Sequence, residues 1–178
     1  MVRSSRGWLL TLVLLLGASA APRDVAAQHA AGQKYLGGHI GVSGVGTAAA
    51  IGVNGEISYN ENVTIGAWAD TWGYGEDYAT GAGVASWDVR YVALAGTGAY
   101  HFSIEERPKL DPFVGAAVGY YVVSTSSSVG GITYGGDASR LFVGGYGGLR
   151  YFFKPAMAGV ARVGFGSAYL TLGLDFKL

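Results

Sequence analysis

The chain has 178 residues, twelve basic and twelve acidic side chains, a formal net charge of zero, no cysteine and 31 glycines, and half of it is hydrophobic. Balanced charge excludes the basic face that a nucleic-acid binder needs, and the lack of cysteine excludes a disulfide framework and thiolate zinc sites. The length allows one domain once a leader is removed.

Residues 1–27 read as that leader. Arg3 and Arg6 precede an apolar run from Trp8 to Leu16, and small residues follow at Gly17, Ala18, Ser19 and Ala20. The run is too short to cross a bilayer, which takes about 20 residues as a helix. Small-x-small spacing allows cleavage after Ala20 or after Ala27. Cleavage after Ala27 is preferred, because it removes Arg23 and Asp24 rather than leaving them in a tail. The mature chain then carries nine basic and eleven acidic residues. It opens with a short flexible tail, 28–33, before a single domain at 34–178.

That domain alternates apolar and small or polar residues with the period of a strand. The first two predicted strands are 34–44, with Leu36, Ile40 and Val42 on one face, and 50–60. In the second, Ile51, Val53, Ile57 and Tyr59 oppose Gly52, Asn54, Glu56 and Ser58. Strands follow at 63–73, 87–102 and 112–124. At 140–153, Leu141, Val143, Leu149 and Tyr151 oppose Arg140, Gly144, Gly148 and Arg150. The last two are 157–165 and 168–178. The final one is the cleanest: Leu170, Leu172, Leu174, Phe176 and Leu178 oppose Tyr169, Thr171, Gly173, Asp175 and Lys177. Short polar turns at Asn60–Asn62, Ser103–Asp111 and Lys154–Ala156 alternate with predicted long loops at Gly73–Ser86 and Thr125–Ser139.

Eight alternating strands in an exported chain predict an all-β fold, an eight-stranded antiparallel up-and-down barrel. Short turns on one side and longer loops on the other suit a transmembrane barrel of the bacterial outer membrane, with the connections between the first and second and the seventh and eighth strands short against that trend. A soluble barrel of the lipocalin kind would turn the apolar stripe inward. Here the other stripe is mostly Gly, Tyr and Thr, too poor in charge to solvate an outer wall, so the apolar stripe is expected to face lipid. Tyr59, Tyr100, Phe102, Tyr151 and Phe153, all beside the short turns, then form an interfacial girdle.

The segments "RVGFGSAYLTLGLDFKL", "YHFSIEERPKLDPFVGAAVGYY" and "VGGYGGLRYFF" resemble the small outer-membrane barrels typified by the OmpA transmembrane domain and OmpX. The resemblance covers nearly all of 34–178 as pattern and short patches. It implies insertion by the barrel-assembly machinery, contact with outer-membrane lipid and lipopolysaccharide, and a structural or surface-interaction role without enzymatic activity. In that family the last strand usually ends in an aromatic residue; here Leu178 is last and Phe176 lies two before it.

With apolar side chains outward, Glu56, Arg150, Arg162, Asp175 and Lys177 point into a lumen just wide enough to be filled by side chains. Buried charges must pair, so Glu56 is expected to meet Arg150 or Arg162 across the lumen. A narrow porin-like pore is the alternative, kept open by Gly144, Gly148 and Gly173 on the same stripe. His101 and Ser103, with Glu105 nearby, match the His-x-Ser spacing of lipid A deacylases, a third reading in which His would activate a serine nucleophile. His39 is expected to be an interior histidine satisfied by its neighbours rather than a metal ligand. No nucleotide or cofactor motif occurs. In the predicted outer loops, Tyr74, Glu76, Asp77, Tyr78, Trp87, Tyr134 and Asp137 mix aromatic and acidic groups as contact surfaces do, without naming a surface partner.

Overall fold

The computed structural model describes residues 29–43, 48–81, 83–129 and 132–178; the predicted leader 1–27 lies outside them. Eight strands run in chain order: β1 Lys34–Ser43, β2 Ala49–Ser58, β3 Val63–Thr80, β4 Gly83–His101, β5 Leu110–Val129, β6 Ile132–Lys154, β7 Met157–Phe165 and β8 Ala168–Lys177. Each pairs antiparallel with the next, and β1 pairs with β8 to close the barrel. Closure leaves no free edge in the ring.

The alternation in the sequence sets which side chains face in. Ile40, Ile51, Val53, Leu94, Val118, Val143, Val163 and Leu172 point outward and are each more than half exposed. Their neighbours Tyr35, His39, Asn54, Asp70, Phe142, Arg150 and Asp175 are buried inside. Register holds this pattern around the ring, with Ile40 opposite both Ile51 and Leu172. A slip by one residue would exchange every pair of faces.

Both described chain ends and the β2–β3, β4–β5 and β6–β7 turns lie at one end of the barrel, called here the near end. The β2–β3 turn is fastened by Asn60, whose Oδ1 accepts from the amides of Asn62 and Val63 at 2.9 and 2.8 Å, the turn-forming habit of asparagine. Tyr59, Tyr100, Phe102, Tyr151 and Phe153 are all exposed at this end. Residues 29–33, expected to be a tail, are tied into the barrel instead. Gln33 N donates to Ala30 O at 2.9 Å, with Gly32 at φ +80°, a conformation that suits glycine. The amide of Gly32 donates to Ser58 O, and the side chain of Gln33 reaches Leu178 O.

The far end differs from the sequence expectation. Gly73–Ser86 and Thr125–Ser139 are largely strand rather than loop. β3 to β6 run 18 to 23 residues, whereas β1, β2, β7 and β8 run 9 or 10. The β2–β3 ladder ends at Ala50↔Trp72 and the β6–β7 ladder at Gly145↔Phe165. Beyond those pairs β3, β4, β5 and β6 stay hydrogen-bonded to one another, as far as Thr80↔Gly83 and Val129↔Ile132. A four-stranded sheet therefore projects past the barrel rim; at about 3.4 Å per residue, the stretch of β3 beyond the rim reaches roughly 25 Å.

Candidate functional site

The lumen is built from the inward stripes of all eight strands. In its far half an apolar layer joins Ala50, Trp72, Ala93, Ala95, Ala117 and Phe142, with Trp68, Tyr91, Tyr121 and Tyr146 packed against it. Trp72 stacks on Tyr91 at 5.1 Å, and Tyr121 on Phe142 at 4.4 Å. Beside it lies a polar group. His39 Nε2 sits 2.7 Å from Asp70 Oδ1 and its Nδ1 3.3 Å from Asn54 Oδ1, and Ser167 Oγ donates to Asp70 Oδ2.

The charge cluster occupies the near half. Arg150 on β6 is fully buried. Its Nε and Nη2 donate to Asp175 Oδ2 at 3.0 and 2.7 Å, Nη2 also donates to Glu56 Oε2 at 2.9 Å, and Nη1 to Asp111 Oδ2 at 3.3 Å. The rings of Tyr35 and Phe113 pack at 4.6 and 5.8 Å from its guanidinium carbon. Arg162 on β7 contributes longer bonds, 3.5 Å to Glu56 and 3.4 Å to Asp175. Glu56 therefore meets both arginines. Such a cluster tolerates burial because every charge has partners of the opposite sign. Glycine makes the room: a methyl group on Gly37 would land on Asp175 Oδ1, and one on Gly52 on Asp70 Oδ1.

Lys177 stays apart from this cluster. It is half-buried two residues beyond Asp175, where the lumen opens at the near end, and has no ion-pair partner among the described residues. Two groups that the sequence reading left outside the cluster belong to it. Asp111, assigned there to a turn, is the second residue of β5 and completely buried. His29, assigned to the tail, is 3% exposed. His29 Nε2 and His101 Nδ1 lie 2.8 Å from Asp111 Oδ2 and Oδ1. The other nitrogen of each ring faces a hydroxyl, Ser58 Oγ at 3.1 Å and Thr64 Oγ1 at 3.0 Å. Both nitrogens of His101 are thus engaged inside the barrel, while Ser103 is exposed in the β4–β5 turn. The structure does not present the two as base and nucleophile.

The glycines that could have left an opening are also crowded. A Cβ on Gly148 would strike the ring of Phe113, and one on Gly173 would come within 2.8 Å of the Cβ of His39.

Several solved structures share the fold. The fold is that of the small eight-stranded outer-membrane barrels. The N-terminal β-barrel domain of Pseudomonas aeruginosa OprF matches with a TM-score of 0.63 at 15% identity, covering 83% of this chain and 98% of that one. Ail, the attachment invasion locus protein of Yersinia pestis, solved with the heparin analogue sucrose octasulfate, matches at 0.57 and 11% identity, covering 82% and 97%. Neisserial surface protein A matches at 0.51 and 13% identity, covering 82% and 95%. No family model and no curated protein matches the chain.

The residues expected in outer loops sit on the projecting sheet. Register puts Tyr74, Glu76 and Tyr78 of β3, Trp87 of β4 and Tyr134 of β6 on the face continuous with the lumen, and Asp77 and Asp137 on the opposite face. Tyr74 packs edge-on against Trp87 at 5.5 Å and lies over Tyr91 at 6.3 Å. Tyr78 donates to Glu76. Tyr78 and Tyr134 are more than half exposed.

Proposed function

We propose that this protein spans a bacterial outer membrane as a barrel with a closed lumen and acts at the cell surface through its projecting sheet. One observation carries the reading: an apolar outer wall surrounds an interior that is filled by ion pairs and aromatic rings. A soluble barrel would leave Ile40, Val118, Val143 and Leu172 in water, against the hydrophobic effect. In lipid the same side chains are matched to their surroundings, and the closed ring satisfies the backbone. The Arg150 cluster crosses the near half of the lumen, and the Trp72–Tyr121–Phe142 layer crosses the far half. Together they oppose a continuous water path.

A surface role is supported by the sheet beyond the rim, which joins exposed aromatic rings to acids. Glu76, Asp77, Asp88 and Asp137 outnumber Arg90 and Arg140 there. This excess of acid disfavours a polysulfated ligand.

The test takes protein extracted from outer membranes in detergent. Electrophoresis with and without boiling should show the mobility shift of a folded barrel, and planar bilayers containing it should show no steady conductance. Absence from the outer-membrane fraction would contradict the location, and steady channels would contradict the closed lumen. For the surface role, shortening the β3–β4 hairpin should change adhesion or phage sensitivity; unchanged behaviour would count against it.

A further inference from the structure

We propose that His29, His101 and Asp111 form a binding site for one transition-metal ion of the zinc class at the near end of the lumen. The three come from separate places: His29 precedes β1, His101 ends β4, and Asp111 is the second residue of β5. All are buried, and one ligand atom from each lies within 4.8 Å of the other two. Donors held about 2.0–2.2 Å from a tetrahedral zinc ion are separated by roughly 3.5 Å, so the cluster needs little adjustment to close on an ion.

The hydrogen bonds around the cluster orient it. A metal-bound imidazole is normally fixed through its second nitrogen. Here Ser58 Oγ faces Nδ1 of His29 and Thr64 Oγ1 faces Nε2 of His101, leaving Nε2 and Nδ1 directed at Asp111. His39 lacks this arrangement, since its two nitrogens face Asp70 and Asn54 and no second histidine is near.

Charge also favours a cation. Three carboxylates, Glu56, Asp111 and Asp175, share two arginines, Arg150 and Arg162, in this half of the lumen, and Asp111 also faces the imidazoles of His29 and His101. Asp111 is the acid that Arg150 holds most weakly, at 3.3 Å against 2.7 Å for Asp175 and 2.9 Å for Glu56. Turning Asp111 toward a metal therefore leaves the guanidinium paired. Two imidazoles and one carboxylate suit zinc, copper or nickel rather than magnesium or calcium. Binding would also tether the segment before β1 to the start of β5.

The experiment titrates zinc chloride into the folded, detergent-solubilised barrel without a histidine tag, by calorimetry. One ion should bind per barrel, with a micromolar or tighter dissociation constant. His29→Ala should weaken binding at least tenfold while the barrel keeps its heat-dependent mobility shift, because His29 lies outside the strands. Asp111→Asn should weaken it as well. Absence of saturable binding to the unaltered protein, or binding that survives His29→Ala unchanged, would overturn the proposal.

Discussion

Arg150 holds three carboxylates around one guanidinium with no access to water. Replacing it with Met leaves Glu56, Asp111 and Asp175 close together without their main counter-charge, so Arg150→Met should cost about 3–5 kcal/mol in urea unfolding from lipid vesicles. Arg162→Met should cost less than half as much, because its bonds to Glu56 and Asp175 are 3.4–3.5 Å long and it keeps some exposure. Equal losses would mean that the cluster does not centre on Arg150. Gly52→Ala tests the space beside the cluster: its methyl group meets Asp70 Oδ1 and His39 Nε2, and about 1–3 kcal/mol of destabilisation is expected by the same assay. At this scale the sequence was informative wherever parity applied. Glu56, Arg150, Arg162 and Asp175 occupy inward positions of well-patterned strands. His101 has inward parity as well, between the outward Tyr100 and Phe102, but was read only as flanking a turn and in the His-x-Ser spacing with Ser103. Asp111 escaped because the strand was started two residues late, at Pro112 rather than Leu110, and His29 because no pattern precedes Lys34.

The strands divide into a short set, β1, β2, β7 and β8, and a long set, β3 to β6. The short set was legible almost to the residue: 157–165 matches β7, 168–178 overruns β8 by one residue, and 34–44 matches β1 throughout the described residues, Gly44 lying outside them. The long set was cut short at the far end, where Gly, Ser and acids dominate and both faces of the sheet meet solvent. No apolar stripe is required there, and backbone pairing between neighbours holds the strands. This predicts independence of the projecting sheet from the barrel. Replacing Glu76–Trp87 with an Asn-Gly turn, which suits a two-residue hairpin, should leave the mobility shift intact; failure to fold would show that the sheet supports the ring. The two regions should also differ in tolerance to charge. Leu172→Arg on the outer wall should cost about 2–4 kcal/mol in lipid, whereas Thr133→Arg on the sheet should stay within about 0.5 kcal/mol. Equal costs would contradict a membrane boundary between them.

For the whole molecule, closure and orientation are separate questions. Antiparallel pairing of β1 with β8 closes the ring whichever solvent surrounds it, and alternation in the sequence is equally compatible with both orientations. What decides between them is composition: the outward stripe is branched and aliphatic, and the inward stripe supplies charges that find one another only when they share the lumen. The likeness to the OprF, Ail and Neisserial surface protein A barrels adds the fold. The most direct test uses the absence of cysteine. Single cysteines introduced at Ile40, Val118, Val143 and Leu172 can carry spin labels in protein reconstituted into bilayers, with labels at Tyr78, Tyr134 and Asp137 for comparison. The first four should be relaxed strongly by oxygen and weakly by a water-soluble nickel chelate, and the other three the reverse. Strong relaxation by nickel at the first four positions would contradict a lipid-facing outer wall.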